Sequence, residues 1–198
     1  MADLTTIVGY EPKDCREVYG IINARQVTAL MFHSEMADMF GFLGLEGFKC
    51  MHEYQFLTES AGHRATKSCY LSHHDKILSD DEVRGIDIVP DEWLRYTRMD
   101  VTPSVRRQSV EKAMNEYLKW EKDTKEILCH CAAYLLDWHK MSDYEWVKCL
   151  INDVTEELKC LKELCLKLRA SDYDMSYIVG IQDELCCKYH HKKVRIED

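Results

Sequence analysis

The stretch MNEYLKWEKDTKEIL, Met114 to Leu128, decides the fold. Its apolar residues fall at 114, 117, 118, 127 and 128, the spacing of a helix with one buried face. Followed through its middle, that face meets Glu121. The neighbouring charges Lys119, Lys122, Asp123 and Glu126 can sit on the solvent side, whereas Glu121 falls on the inner stripe. A carboxylate on the buried face of a long helix needs a partner, a proton or a cation.

Working outward, the helical reading extends over most of the chain. The 198 residues contain three prolines, at 12, 90 and 103, so the regions 13–89 and 104–198 run without a proline break. Strand-like alternation is nearly absent. Asp14 is placed to cap a first helix reaching about Phe40. Gly41, Gly44 and Gly47 in GFLGLEGF mark a turn, and a second helix follows from about Glu46 to Leu78. A third helix opens at Pro103–Ser104 and ends near His139. Ser142 or Asp143 is expected to cap a fourth, reaching about Arg169, and a short C-terminal helix covers about 175–190. Residues 79–103 form a long connection. Two helical hairpins joined by a long crossover make an all-α four-helix bundle, and we read 1–198 as one such domain.

Composition narrows the function classes. A net charge of -9 argues against nucleic-acid binding, which uses clustered Lys and Arg. The basic end KYHHKKVRIED is short and reads as a solvated tail. No apolar run approaches the ~20 residues needed to span a bilayer, and the first residues lack the pattern of a signal peptide. The ten cysteines lie mostly in helical stretches, several on apolar stripes, as in a cytoplasmic protein with reduced thiols. Cys129/Cys131 and Cys186/Cys187 lack zinc-finger spacing, and CCKYHH is a weak soft-metal tract. SHHD, 72–75, reads as the exposed end of the second helix, with His73 a surface ligand at most. No GxSxG, P-loop or GxGxxG pattern is present.

Polar residues recur on every seam. The first helix reads Ile22, Gln26, Ala29, His33, Met36, Phe40. The second reads His52, Phe56, Glu59, His63, Thr66, Tyr70, His73, Ile77. The third carries Glu121 among Met114, Tyr117 and Leu128, and the fourth carries Glu157 among Val154 and Leu161. Gln26 and Glu59 are equidistant from a point inside the glycine turn, and Glu121 and Glu157 from a point inside DWHK. Each pair lies roughly 25 Å down its hairpin at about 1.5 Å per residue. In register, Gln26, Glu59, Glu121 and Glu157 share one level, with His63 a turn away. Carboxylates and imidazole from facing helices are ligands for iron or manganese. Hydrogen bonding alone is the other way to satisfy them.

At this point the sequence resembles the ferritin-like superfamily. YLKWEKDTKEIL and SDYEWVKCLINDVTEELKCLKELCLKL resemble the third and fourth helices of bacterial-type ferritins, and GFLGLEGFKC the turn between their first two. The resemblance spans roughly 14–190. It implies a metal site in which Gln26 stands where the family has Glu, Glu59 is the bridging Glu, and Glu121 and Glu157 are the third- and fourth-helix acids. His63 lies one residue beyond the family's Glu-x-x-His partner. Val154 replaces a polar neighbour of Glu157, with Asp153 as a substitute ligand, and His33 stands where Tyr is common. The resemblance further implies iron (or manganese) as metal, a ferroxidase-type oxidation of Fe(II), and a homo-oligomer. Two readings follow. One is a metal-binding ferritin-like protein with a partly degenerate dinuclear site. The other is a non-catalytic interaction or assembly protein with a vestigial site, using its surfaces, Trp93 and the crossover included.

Overall fold

A computed structural model describes residues 11–78 and 101–197, and side chains as far as 190. The crossover from 79 to 100, with Trp93, lies outside the described residues.

Four long helices form two hairpins. Helix α1 spans Cys15–Phe42, α2 Glu46–His74, α3 Pro103–Asp137 and α4 Met141–Ala170. Two adjoining C-terminal helices follow, α5 at Met175–Gly180 and α6 at Gln182–Glu197. Among the described residues no strand forms. Asp14 caps α1 as its sequence indicates, its Oδ1 accepting from the Glu17 N–H at 2.9 Å. Thr102 caps α3, with Pro103 in the first turn where its missing N–H costs nothing. The first hairpin turns at Gly44, whose φ of +70° a side chain would resist.

Apolar burial falls into two main blocks separated along the bundle axis. One block draws Phe32 and Phe40 from α1, Phe48 from α2, Met114 and Leu118 from α3, and Leu158 and Leu168 from α4. The other draws Val18 and Ile22 from α1, Leu128 and Leu135 from α3, and Val147 from α4. Between Ile22 and Phe32 lie Arg25 and Gln26. Between Leu118 and Ile127 lies Glu121, and just before Leu158 lies Glu157. The polar level is thus a layer between two apolar blocks, with Val154 touching both.

Three details differ from the sequence reading. The second helix ends at His74, where Asp75 adopts a left-handed conformation (φ 50°) and closes the helix. Phe56 and Ile77, assigned to its seam, are exposed. After His52 the buried face steps by three residues to Gln55 and not by four to Phe56, then rejoins the expected stripe at Thr66 and Tyr70, while Ile77 lies past the helix end. Second, Ser142 and Asp143 do not cap α4. Its N-cap is Lys140, without a side-chain bond, and Asp143 turns inward. Third, the basic C-terminal stretch is not a free tail as far as Tyr189. Leu185 and Tyr189 are buried, Tyr54 and Tyr189 pack with ring centroids 5.6 Å apart, and Cys50 Sγ lies 3.3 Å from Cys186 Sγ.

Docking of α6 depends on Gly47. Its N–H donates to Gln182 Oε1 at 2.9 Å, and a Cβ at this position would meet the Gln182 carbonyl oxygen at 2.4 Å. Gly47→Ala is expected to cost about 1–3 kcal/mol and to loosen α6. Thermal unfolding and protease cleavage after Lys188 check this, the cleavage accelerating in the variant.

Candidate metal centre

The central layer starts from α1. Arg25 is buried, its Nε donating to Thr124 Oγ1 at 2.9 Å and an Nη to the Trp120 carbonyl at 2.8 Å. Its guanidinium lies 3.2 Å from the centroid of the Trp120 ring, a cation–π contact made strong by exclusion of water. Burial lowers Arg25 to about 10, while Glu121, Asp123 and Glu59 hold its charge on. It is therefore cationic at neutral pH.

Glu121 is 2 % exposed. Burial, then the charges of Glu157 and Glu59, raise its pKa well above the carboxylate range, with Arg25 opposing. Glu59 behaves alike. The residue keeps some exposure, but burial of its carboxyl and the charge of Glu157 raise it to about 8, against Arg25. Glu157 accepts from the Tyr117 hydroxyl and the Gln55 amide on the same oxygen, Oε1. Four helices therefore bring three carboxylates and one guanidinium into a single electrostatic unit.

The other sequence candidates stand around this unit in different ways. Gln26 is buried, and its Oε1 has no hydrogen-bond partner among the described residues. Its Nε2 lies against Gly62, 3.0 Å from where a Cβ would be. Gly62 is the third residue after Glu59, the position of the His in a Glu-x-x-His ligand pair. The Gln26 amide occupies the space beside it. His63 is rotated about 100° further round α2 and is half-buried. Asp153 is exposed, but it lines, together with Glu157, Gln55, Tyr117 and Tyr189, a cavity of about 380 Å³ beside α2, α4 and α6. That cavity links the layer to solvent.

His33 is fully buried, its Nδ1 2.9 Å from His52 Nδ1. Burial pushes both below the usual range, His33 further by the proximity of His52, and His52 to about 3. Both are neutral, one donating to the other. The Tyr117 ring packs at 5.1 Å and 5.0 Å from the two imidazoles and carries the hydroxyl that reaches Glu157.

Three further residues were not singled out as site residues from sequence. Arg25 had a signal, three residues after Ile22 and four before Ala29 on the apolar stripe. Gly62 had one too, at the ligand position after Glu59. Gln55 had none beyond helix phase.

The long helices, their two hairpins and the added C-terminal helix have known counterparts. The structure superposes on an open-pore ferritin from Archaeoglobus fulgidus with TM-score 0.69 at 17% identity, covering 93% of this chain and 98% of that one. The chain has the ferritin fold. A humanized archaeal ferritin gives TM-score 0.73 at 14% identity over 89% and 98% of the two chains. The ferritin of M. penetrans gives 0.70 at 12% over 94% and 99%. No family model and no curated protein matches the sequence. On this ferritin fold, the acids of α2, α3 and α4 are present, while Gln26 and Gly62 depart from the pattern of the resemblance.

The raised acids set a pH dependence for the metal-free protein. A carboxyl with a folded pKa near 8 and an unfolded value near 4.5 favours folding most below about pH 4.5, and that contribution declines through pH 8. Glu59→Gln is therefore expected to stabilise the metal-free chain by about 1–3 kcal/mol at pH 7.5 and by much less at pH 5. Chemical denaturation with a chelator present measures the difference. The lowered histidines act with opposite sign. Their contribution is present above about pH 6.5 and is lost as pH falls toward 3, so His52→Gln is expected to narrow the loss of stability on acidification.

Proposed function

We propose that this chain is a metal-binding protein of ferritin fold that takes one Fe(II) ion as cargo between Glu59, Glu121 and Glu157. The observation that carries the reading is the charge count. Once ionised, Glu59, Glu121 and the half-buried Glu157 beside the fixed Arg25 cation carry two net negative charges, which one divalent ion balances. Oxygen donors suit Fe(II) or Mn(II), and the buried, unpartnered Gln26 Oε1 is a further neutral oxygen on α1. Metal binding would displace the protons that the raised acids otherwise hold. Tyr117 and Gln55 orient Glu157, and the cavity shared with Asp153 is the entry route.

Gln26, the absence of a side chain at Gly62 and the displaced His63 argue for one ion rather than two. Oxidation of the bound Fe(II) by oxygen then proceeds at the slow rate of a mononuclear site. Self-association is part of the same reading, supported by exposed Leu136, Met141, Leu166 and Val179. Arg25 favours a second reading. The acids are held by shared protons and the guanidinium alone, no metal enters, and the bundle serves as a non-catalytic assembly protein.

Anaerobic calorimetry with Fe(II) separates the two. The first reading expects one equivalent per chain, a rise in Tm on saturation, and affinity at least tenfold weaker in Glu121→Gln and Glu157→Gln. Uptake that is absent, or equal in these variants, supports the second. Under either reading Arg25→Met leaves Glu121 and Glu59 without their cation. It is expected to lower the stability of the metal-free chain by about 3 kcal/mol or more at pH 8, read by urea unfolding.

A further inference from the structure

A second constellation lies at the end of the bundle away from the glycine turn, where α1 begins, α2 ends and α4 begins. Cys15, His74 and Asp143 each offer a ligand atom, and the three atoms lie within 4.8 Å of one another. Each comes from a different helix. Cys15 and Asp143 are buried, and His74 is partly exposed.

The surroundings are arranged on Asp143. Its Oδ1 receives the Tyr19 hydroxyl at 2.8 Å and lies 2.7 Å from His73 Nδ1 and 3.3 Å from His74 Nε2. Tyr19 is in turn 3.4 Å from Cys69 Sγ. A carboxylate at 4 % exposure, turned inward instead of capping its own helix, is thus fixed by two neighbours that are not needed as ligands. Outer groups of this kind orient metal-binding side chains.

We propose that Cys15, His74 and Asp143 bind a zinc-class divalent cation, with His73 and Tyr19 positioning the Asp143 carboxylate. The donor set selects the ion. Thiolate and imidazole suit zinc and its borderline neighbours, whereas Mg(II) and Ca(II) take oxygen ligands. Zinc bonds of about 2.0–2.3 Å place tetrahedral ligand atoms roughly 3.3–3.8 Å apart, so the three atoms need to close by no more than about 1.5 Å. Binding releases the Cys15 thiol proton to solvent as the zinc–sulfur bond forms. Three protein ligands leave a fourth position, and the partly exposed His73 and His74 side chains put it in reach of water. This site shares no residue with the central layer and stands or falls independently of the function proposed above.

Co(II) provides the test, because a bound thiolate gives a charge-transfer absorption that oxygen and nitrogen ligands do not. The full chain, stripped with chelator, is titrated with Co(II) and then with Zn(II) against a chromophoric competitor. The expected result is one thiolate-bound Co(II) per chain, displaced by Zn(II). Cys15→Ser should abolish the band, and His74→Asn should weaken Zn(II) affinity at least tenfold. His73→Gln should weaken it about tenfold while keeping the band. Glu121→Gln and Cys187→Ser should leave the band unchanged. A band that is missing in the unsubstituted chain, or that survives Cys15→Ser, overturns the proposal. Should a variant misfold, alkylation of the unsubstituted chain decides. Zn(II) must slow modification of Cys15 relative to exposed Cys129, and equal rates overturn the assignment.

Discussion

The guanidinium of Arg25 laid on Trp120 is the contact on which the interior of this bundle depends. Two blocks of apolar side chains flank a level where α2, α3 and α4 each contribute an acid. Charges so enclosed repel one another through a medium that screens poorly. Arg25 is the cation fixed among them, and it is itself held by Thr124 and the Trp120 carbonyl. Its own buried state is tolerable because the acids hold its charge. Each group thus makes the other admissible, which is the usual condition for ionisable side chains in a helical core.

The aromatic and imidazole groups next to this level extend it without adding charge. His33 and His52 share one hydrogen bond and leave both Nε2 atoms without partners among the described residues. Their neutrality follows from burial. Tyr117 faces this pair with its ring and Glu157 with its hydroxyl, so one side chain joins an uncharged layer to an ionisable one. Polar networks of this type specify how helices register against one another, since a slip would strand several groups at once.

Much of this was legible in the chain itself. The phase of Met114, Tyr117, Leu118 and Leu128 placed Glu121 inside, and the similar distances of the Gln26–Glu59 and Glu121–Glu157 pairs from their turns put Glu59, Glu121 and Glu157 near one level. Caps at Asp14 and the turn at Gly44 followed from local chemistry. The seam of α2 followed only in part, because a step of three or of four residues after His52 fits the sequence equally well, and because the left-handed turn at Asp75 ends the helix before Ile77. Local sequence assigns Asp143 to a helix cap, because it cannot show that Tyr19, 124 residues away, binds it instead. The cluster at the bundle end was likewise hidden, since its members are contiguous only in space. The stretch from Lys188 reads as solvated because its basic residues obscure Tyr189, which packs on Tyr54 of α2.

The meeting of Gln26 with Gly62 bears on how closely α1 and α2 can approach. The amide fills room that an imidazole at 62 would claim, and the bare backbone at 62 is what admits the amide. A side chain at 62 and the full-length amide at 26 compete for one volume, so any bulk gained on α2 here must be given up by α1, and the distance between these two helices is set by a residue that has no side chain.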